Sequence, residues 1–277
     1  MNRELGTEDT VKWLDEDTGW TSTLVSISVP FQPRYGVPSP IGACACNYAV
    51  GEFHHWKLVL VIKEKIAGLD TMHQFHFEPY ELLWHPPHLP EPICVQGELY
   101  NSPAFIDVHQ DLKNSPGESS CDLPQVVAAL MYFSDATHLT AFGSAKLWPL
   151  YQFFGNDSKY PRCKPTSHLC EHIAYFLTVS TSTWLSNQSL NSSNPQLPDS
   201  FKDFASTQMG GGCAPTAAFT THCHWELMHE QWKILLDDEF LEAWKHSIVI
   251  QYPDGLLQRF YPWIFTYSAD YPKKWVY

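Results

Sequence analysis

The sequence has no run of eighteen apolar residues, which excludes a membrane-spanning helix. Positive charge is scarce: 17 Lys and Arg stand against 30 Asp and Glu, a formal net charge of −13. A free-standing DNA-binding module normally shows a basic patch, because phosphate contacts supply most of its non-specific affinity. That signature is missing, although an acidic chain can still handle DNA by gathering carboxylates around metal ions. No Gly-Lys-Ser/Thr opens a helix, so "FGSAK" and "GGGCAP" make no phosphate loop. No Ser/His/Asp nucleophile arrangement is present, and no Cys-x₂-Cys pair marks a zinc ribbon. The N-terminus, "MNRELGTEDTVKWLDEDTGW", is polar and acidic, without the apolar core of a signal peptide. The expected compartment is therefore intracellular. The eight cysteines are then thiols or ligands rather than a disulfide framework, and the sequons at Asn156, Asn187 and Asn191 are chance matches.

What is present suits a packed protein. Hydrophobic residues make up 44% and charged residues 17% of the 277, enough for one large domain or two modest ones. Residues 1–19 read as an acidic, solvated tail. From there to residue 120 the pattern is α+β. "STLVSISVPF" alternates as a strand. "FHHWKLVLVIKEKIAGL" reads as a helix with Trp56, Leu60, Lys63 and Ala67 on successive turns and Gly68 as C-cap. "HQFHFEPYELLWHPP" gives a short strand and a turn of helix stopped by Pro86-Pro87. "NSPAFIDVHQDLKN" starts a helix with Ser102 as N-cap and Pro103 at the first position. "SPGESSCDLP" (115–124) is a linker.

Residues 121–277 change character. "QVVAALMYFSD" ends at Asp135; its alanines permit a helix, while Val-Val and Tyr-Phe favour a buried strand. "AKLWPLYQFFGN" and "HLCEHIAYFLTV" add two strands. The Ser-, Asn-, Pro- and Gly-rich stretch 180–215 reads as a mobile loop. "THCHWELMHEQWKILLDDEFLEAW" is the strongest helical signal, with Trp225, Met228, Trp232, Leu235 and Leu236 on one face. "SIVIQYPDGLLQRFYP" predicts a hairpin about Pro253-Asp254-Gly255. A closing strand, Trp263 to Ala269, then delivers Asp270.

The order is three strands, a helix, and a fourth strand, with an Asp at the ends of the first and last. It is the order of ribonuclease-H-like nucleases and transposases, in which the first and fourth strands are neighbours. The chemistry explains the pattern. Phosphodiester cleavage can use two divalent ions about 3.5–4 Å apart, and hard cations such as Mg²⁺ take oxygen ligands held rigidly on adjacent strand ends.

Longer words sharpen this. "YFSDATHLTAFGSAKLWPLYQFFGNDSKYPRCKP", "HLCEHIAYF", "PDSFKDF", "HWELMHEQWKILLDDEFLEAWKHSIVI" and "RFYPWIFTYSADYPKK" resemble the Plavaka-type transposases, fungal cut-and-paste elements of the CACTA (EnSpm) group. "GWTSTLVSISVPF", "FHHWKLVLVIKEKI", "FHFEPYELLWHPP" and "ELYNSPAFIDVHQDL" resemble the region before the catalytic core in that family. The resemblance covers residues 19–277. It implies an incomplete ribonuclease-H-like mixed sheet, strands one to four plus the first helix, at 121–277, behind a family-specific α+β region at 20–120. It also implies that Asp135 and Asp270 are the first two carboxylates of a DDE/D transposase and bind Mg²⁺ or Mn²⁺. The third acid and the family's Cys-rich segment lie later than Tyr277, and the loop at 181–195 looks like added material. The expectation is thus a truncated fragment, catalytically inactive for want of its third acid. Exposed apolar surface is expected around Trp263, Phe265 and Trp275. The implied partners are DNA for the ancestral full-length protein and a full-length transposase, with a nuclear location.

A second class of function is an interaction module that binds a partner through the exposed fold edge or through zinc. Its candidate ligands are Cys163, His168, Cys170 and His172 in one cluster, Cys213, His222, Cys223, His224 and His229 in another, and the lone Cys44-x-Cys46. Ordinary free thiols and surface or half-buried histidines are the favoured reading of them. "DDEF" (237–240) reads as a helix junction, and the Trp-rich helix as core.

Overall fold

The computed structural model describes residues 19–31, 44–68, 75–115, 121–135, 137–138, 146–177, 199–208 and 216–269. In chain order the elements are β1 (Trp20–Phe31), β2 (Cys44–Trp56), α1 (Leu58–Ala67), β3 (Leu83–Trp84), β4 (Ile93–Cys94), α2 (Pro103–Asn114), β5 (Gln125–Ser134), β6 (Thr137–His138), β7 (Lys146–Leu147), β8 (Pro149–Phe154), α3 (Lys159–Arg162), β9 (Glu171–Tyr175), α4 (Asp199–Gln208), α5 (Ala217–Leu235), α6 (Asp238–His246), β10 (Ile248–Gln251) and β11 (Leu257–Ala269). Seven strands form one mixed, mostly antiparallel sheet in the order β1-β2-β9-β8-β5-β11-β10. The β1–β2 hairpin joins through an antiparallel pair of β2 with β9, so residues before 120 share this sheet with those after it. β11 lies parallel to β5, and β10 folds back on β11.

The two faces of the sheet differ. Val126, Ala128, Leu130 and Tyr132 of β5 point into the main core with Leu150, Ala174 and Phe176. The helices cover this face: α1 brings Leu58, Val59, Val61, Ile62 and Ile66, and α5 brings Leu227, Met228, Trp232 and Leu235. Trp232 meets Tyr132 edge-on at 5.5 Å and Tyr267 at 5.3 Å. On the opposite face Val127 and Ala129 form a smaller core with Tyr100 and Phe105. There α2 is held by its expected cap: the Phe105 amide donates to Ser102 Oγ at 3.3 Å, with Pro103 at the first helical position. Such a cap contributes about 1 kcal/mol.

Several local expectations are corrected. Phe53 to Trp56 belong to β2 and not to the helix, which starts after Lys57. Alternation decides it, because Phe53 and His55 turn inward. Leu60, Lys63 and Ala67, on successive turns of that helix, are exposed. In "YELLWHPP" there is no helical turn; Leu83–Trp84 pairs with Ile93–Cys94 as a small ribbon whose apolar side chains are exposed. Within 180–215 a helix, α4, occupies 199–208 and buries Phe201 and Ala205. The long helical signal is two helices broken at Leu236, where the Phe240 amide donates to Asp237 Oδ1 at 2.9 Å and starts α6. Trp225 is exposed rather than packed. The hairpin turn is as expected, with Gly255 at φ 87°, where other residues are strained. Its second arm and the closing strand are one strand, β11.

Candidate functional site at the tips of β5 and β11

Parallel pairing between β5 and β11 runs from Gln125 opposite Arg259 to Ser134 opposite Ala269. Two β-type segments thus reach the same edge together. Below the tip, the Ser134 and Tyr267 hydroxyls lie 2.7 Å apart, a hydrogen bond that ties the strands in a buried setting. Burial pushes the Tyr267 phenol up to about 12, so it stays protonated and available as a donor. Asp135 follows Ser134 and is half-buried. Asp270 follows Ala269 in sequence and lies outside the described residues.

The neighbours of Asp135 are rings. Phe133 stacks with Tyr151 of β8 at 6.1 Å, and Tyr151 packs on His172 of β9 at 4.4 Å. The Tyr151 phenol is raised, first by burial and then by Cys170, Tyr175 and Asp135. His172 is lowered, chiefly by burial, which favours the neutral imidazole. In kind, a strand-end carboxylate suits a hard divalent cation.

Among the described residues no three or more His, Cys, Asp or Glu are grouped to hold a metal ion. Cys223 lies in the core of α5, and burial pushes its thiol up to about 11. Burial, then Glu171, does the same for Cys170, again to about 11. His224 is pushed down to about 4 by burial. His168 caps a short 3₁₀ turn at φ 49°, and its carbonyl accepts from Lys65 Nζ. His222 is exposed and His229 half-buried on α5, and Cys163 is exposed beside α3. Cys46 is half-buried on β2; Cys213 and the Cys44 side chain lie outside what is described.

Sequence reasoning missed a polar cluster at the far end of β8. Asn156 is fully buried: its Oδ1 accepts from the Ala129 amide at 2.8 Å, and its Nδ2 donates to the carbonyls of Val127 and His76. Its neighbour Asp157 is 1% exposed, and neither carboxylate oxygen has a hydrogen-bond partner. Burial raises its carboxyl to about 6, against smaller opposing effects of Lys65 and Arg162. Lys65 itself donates to Glu171 Oε1 at 2.7 Å, and this pair lines a cleft of about 190 Å³ with Trp56, Val61, Glu64 and His172, which neither Asn156 nor Asp157 lines. The only hint in sequence was "GND" after an apolar strand, which also marks an ordinary turn.

No protein-family model, curated protein or solved structure matches the chain. No described helix is long and apolar enough to cross a membrane.

Proposed function

We propose that this chain carries a ribonuclease-H-like core of the DDE/D transposase kind, of the Plavaka type that its sequence resembles, with Asp135 and Asp270 as two of the metal-binding carboxylates. The observation that carries this reading is the register of β5 and β11. Taking β5, β8, β9 and β11 as strands one to four, the sheet order is three-two-one-four, with the first and fourth parallel. Asp135 and Asp270 each come directly after a pair in register, Ser134 and Ala269. Carboxylate oxygens from both tips would hold Mg²⁺ or Mn²⁺. When bound, such an ion supplies charge to polarise a phosphodiester and lower the pKa of a water. The chain's own part is to orient the two carboxylates on rigid neighbouring strands. A two-carboxylate pair holds an ion weakly, so the property to measure is ion binding and not strand cleavage.

The test is Mn²⁺ titration of the full chain followed by electron paramagnetic resonance, on the parent, Asp135→Asn and Asp270→Asn. Millimolar binding lost by at least about tenfold in each variant is expected, since one of two charged ligands is gone. Binding that persists in both variants, or no binding in the parent, sinks the reading. Stoichiometric zinc lost on Cys170→Ser or Cys223→Ser would point instead to the interaction module.

A further inference from the structure

The face of the sheet that carries Phe133 is covered by α2 around Val127 and Ala129, but Phe133 itself, toward the Asp135 end, is exposed. Across that half runs a chain of rings drawn from β5, β8, β9 and β1. Phe133 on β5 leads to Tyr151 on β8 at 6.1 Å, then to His172 on β9 at 4.4 Å. It continues through Tyr175 at 6.2 Å to Trp20 on β1 at 5.3 Å, where Trp20 in turn meets Trp56. Phe133 is 40% exposed, and His172 is exposed as well. Rings on the other face of the same strands, such as Tyr132 and Phe154, are buried. Cross-strand ring pairs stabilise any sheet, but a stripe whose Phe133 and His172 are exposed and whose Tyr151, Tyr175 and Trp20 are half-buried also offers π-surface to planar ligands.

One cation, Arg162, reaches this face in a chain otherwise dominated by acids. Arg162 Nη1 donates to Met131 Sδ at 2.9 Å. Met131 lies two residues before Phe133, about 7 Å away along the strand on the same face. Lys159 and Lys164 flank Arg162 and are exposed, and Lys159 sits 5.4 Å from the ring of Tyr160, itself 71% exposed. Glu98 offsets part of this charge, at 3.9 Å from Arg162 Nη2. A ring platform with Arg162 on one border and a strand-end carboxylate on another has the chemistry of a single-strand site: bases stack on the rings and phosphates face the cations. A duplex hides its base faces and gains nothing from such a surface.

We propose that this ring face binds unpaired DNA bases next to Asp135, with Phe133, Tyr151 and His172 as the stacking residues and Arg162, Lys159 and Lys164 on the phosphate side. It rests on the reading of Asp135 as part of a phosphodiester site and specifies the form of DNA that site receives.

The experiment is fluorescence anisotropy of the full chain with a labelled oligothymidylate, single-stranded or annealed to oligoadenylate, in EDTA and again with Mn²⁺. Single-strand binding at least tenfold tighter than duplex binding is expected, and it persists in EDTA. Phe133→Leu and Tyr151→Leu are each expected to weaken it between about fivefold and a hundredfold, the range set by one base–ring stack. Phe133 is exposed, so its variant keeps the test open if Tyr151→Leu does not fold. Lys159→Gln with Lys164→Gln is expected to flatten the salt dependence, as each lost phosphate contact removes roughly 0.7 from the slope. No single-strand binding, equal or tighter duplex binding, or unchanged affinity in both ring variants overturns the proposal. Single-strand binding in EDTA without Mn²⁺ binding in the titration above would sink the metal reading alone. Mn²⁺ binding without single-strand binding would sink this one alone.

Discussion

Asp157→Asn isolates the cost of a buried charge. Asp157 is 1% exposed, its two oxygens lack hydrogen-bond partners, and its carboxyl titrates near 6 instead of 3.8. A folded-state value above the unfolded one means that the native protein holds the proton more tightly. The group therefore favours the folded state most below about pH 4, and this contribution is lost as pH rises through about 6. A shift of about two pKa units corresponds to about 3 kcal/mol between the extremes. Asparagine keeps the size and never ionises. The variant is expected to match the parent within about 1 kcal/mol at pH 4 and to exceed it by roughly 2–3 kcal/mol at pH 7.5. Urea unfolding followed by tryptophan fluorescence, at a series of pH values, gives both free energies with comparable slopes. Trp232, packed on Tyr132 and Tyr267, lies within the main core. The parent alone is a poor witness, because His224, held near 4, works in the opposite sense: its contribution is lost as pH falls below 6.5. Taking the difference between variant and parent removes that effect. A difference that stays constant from pH 4 to 7.5 would refute the assignment of a buried, unpaired carboxylate.

Two further substitutions test the same end of the molecule. Asn156→Ala strands the Ala129 amide and the Val127 and His76 carbonyls, and a loss of about 3 kcal/mol or more is expected in the same urea assay. A loss below about 1 kcal/mol would mean that water replaces the side chain. Lys65→Met removes a cation that lowers the Asp157 carboxyl, so the Asp157→Asn advantage should grow larger and level off at a higher pH. An unchanged plateau would show that Lys65 does not reach Asp157.

Much of the fold could be read from side-chain type and spacing. Val126-Val127 and Tyr132-Phe133 gave β5 because β-branched and aromatic residues suit a pleated surface. Ser102-Pro103 gave the start of α2 through one hydroxyl and one fixed φ. Boundaries inside apolar stretches were harder. Apolar residues continue from Phe53 through Ile66 on both sides of Lys57, and the change of period there, from two to 3.6, involves too few residues to stand out. The helix α4 was masked by its Ser-, Asn- and Pro-rich surroundings, although Phe201 and Ala205 are spaced as one buried helical stripe. Trp225 follows the helical period but projects into solvent, because periodicity says which face a residue occupies and not how far the packed surface extends. For the site, Asp135 was legible as a carboxylate at the end of an apolar strand. The ring stripe was not: Phe133, Tyr151, His172, Tyr175 and Trp20 come from four strands, and only pairing register makes them neighbours.

The β5–β11 pair has a consequence for synthesis. Ser134 and Tyr267 are 133 residues apart, so the centre of the sheet is closed by one of its longest loops. On the ribosome, β5, β8 and β9 emerge and can pair antiparallel while the outer edge of β5 still lacks its parallel neighbour. Val126 to Leu130, among the most apolar segments of the chain, must be kept from foreign strands until Leu257 onward has been made. The same register that brings the two strand tips together thus leaves the nascent protein with a long-lived open edge at its centre.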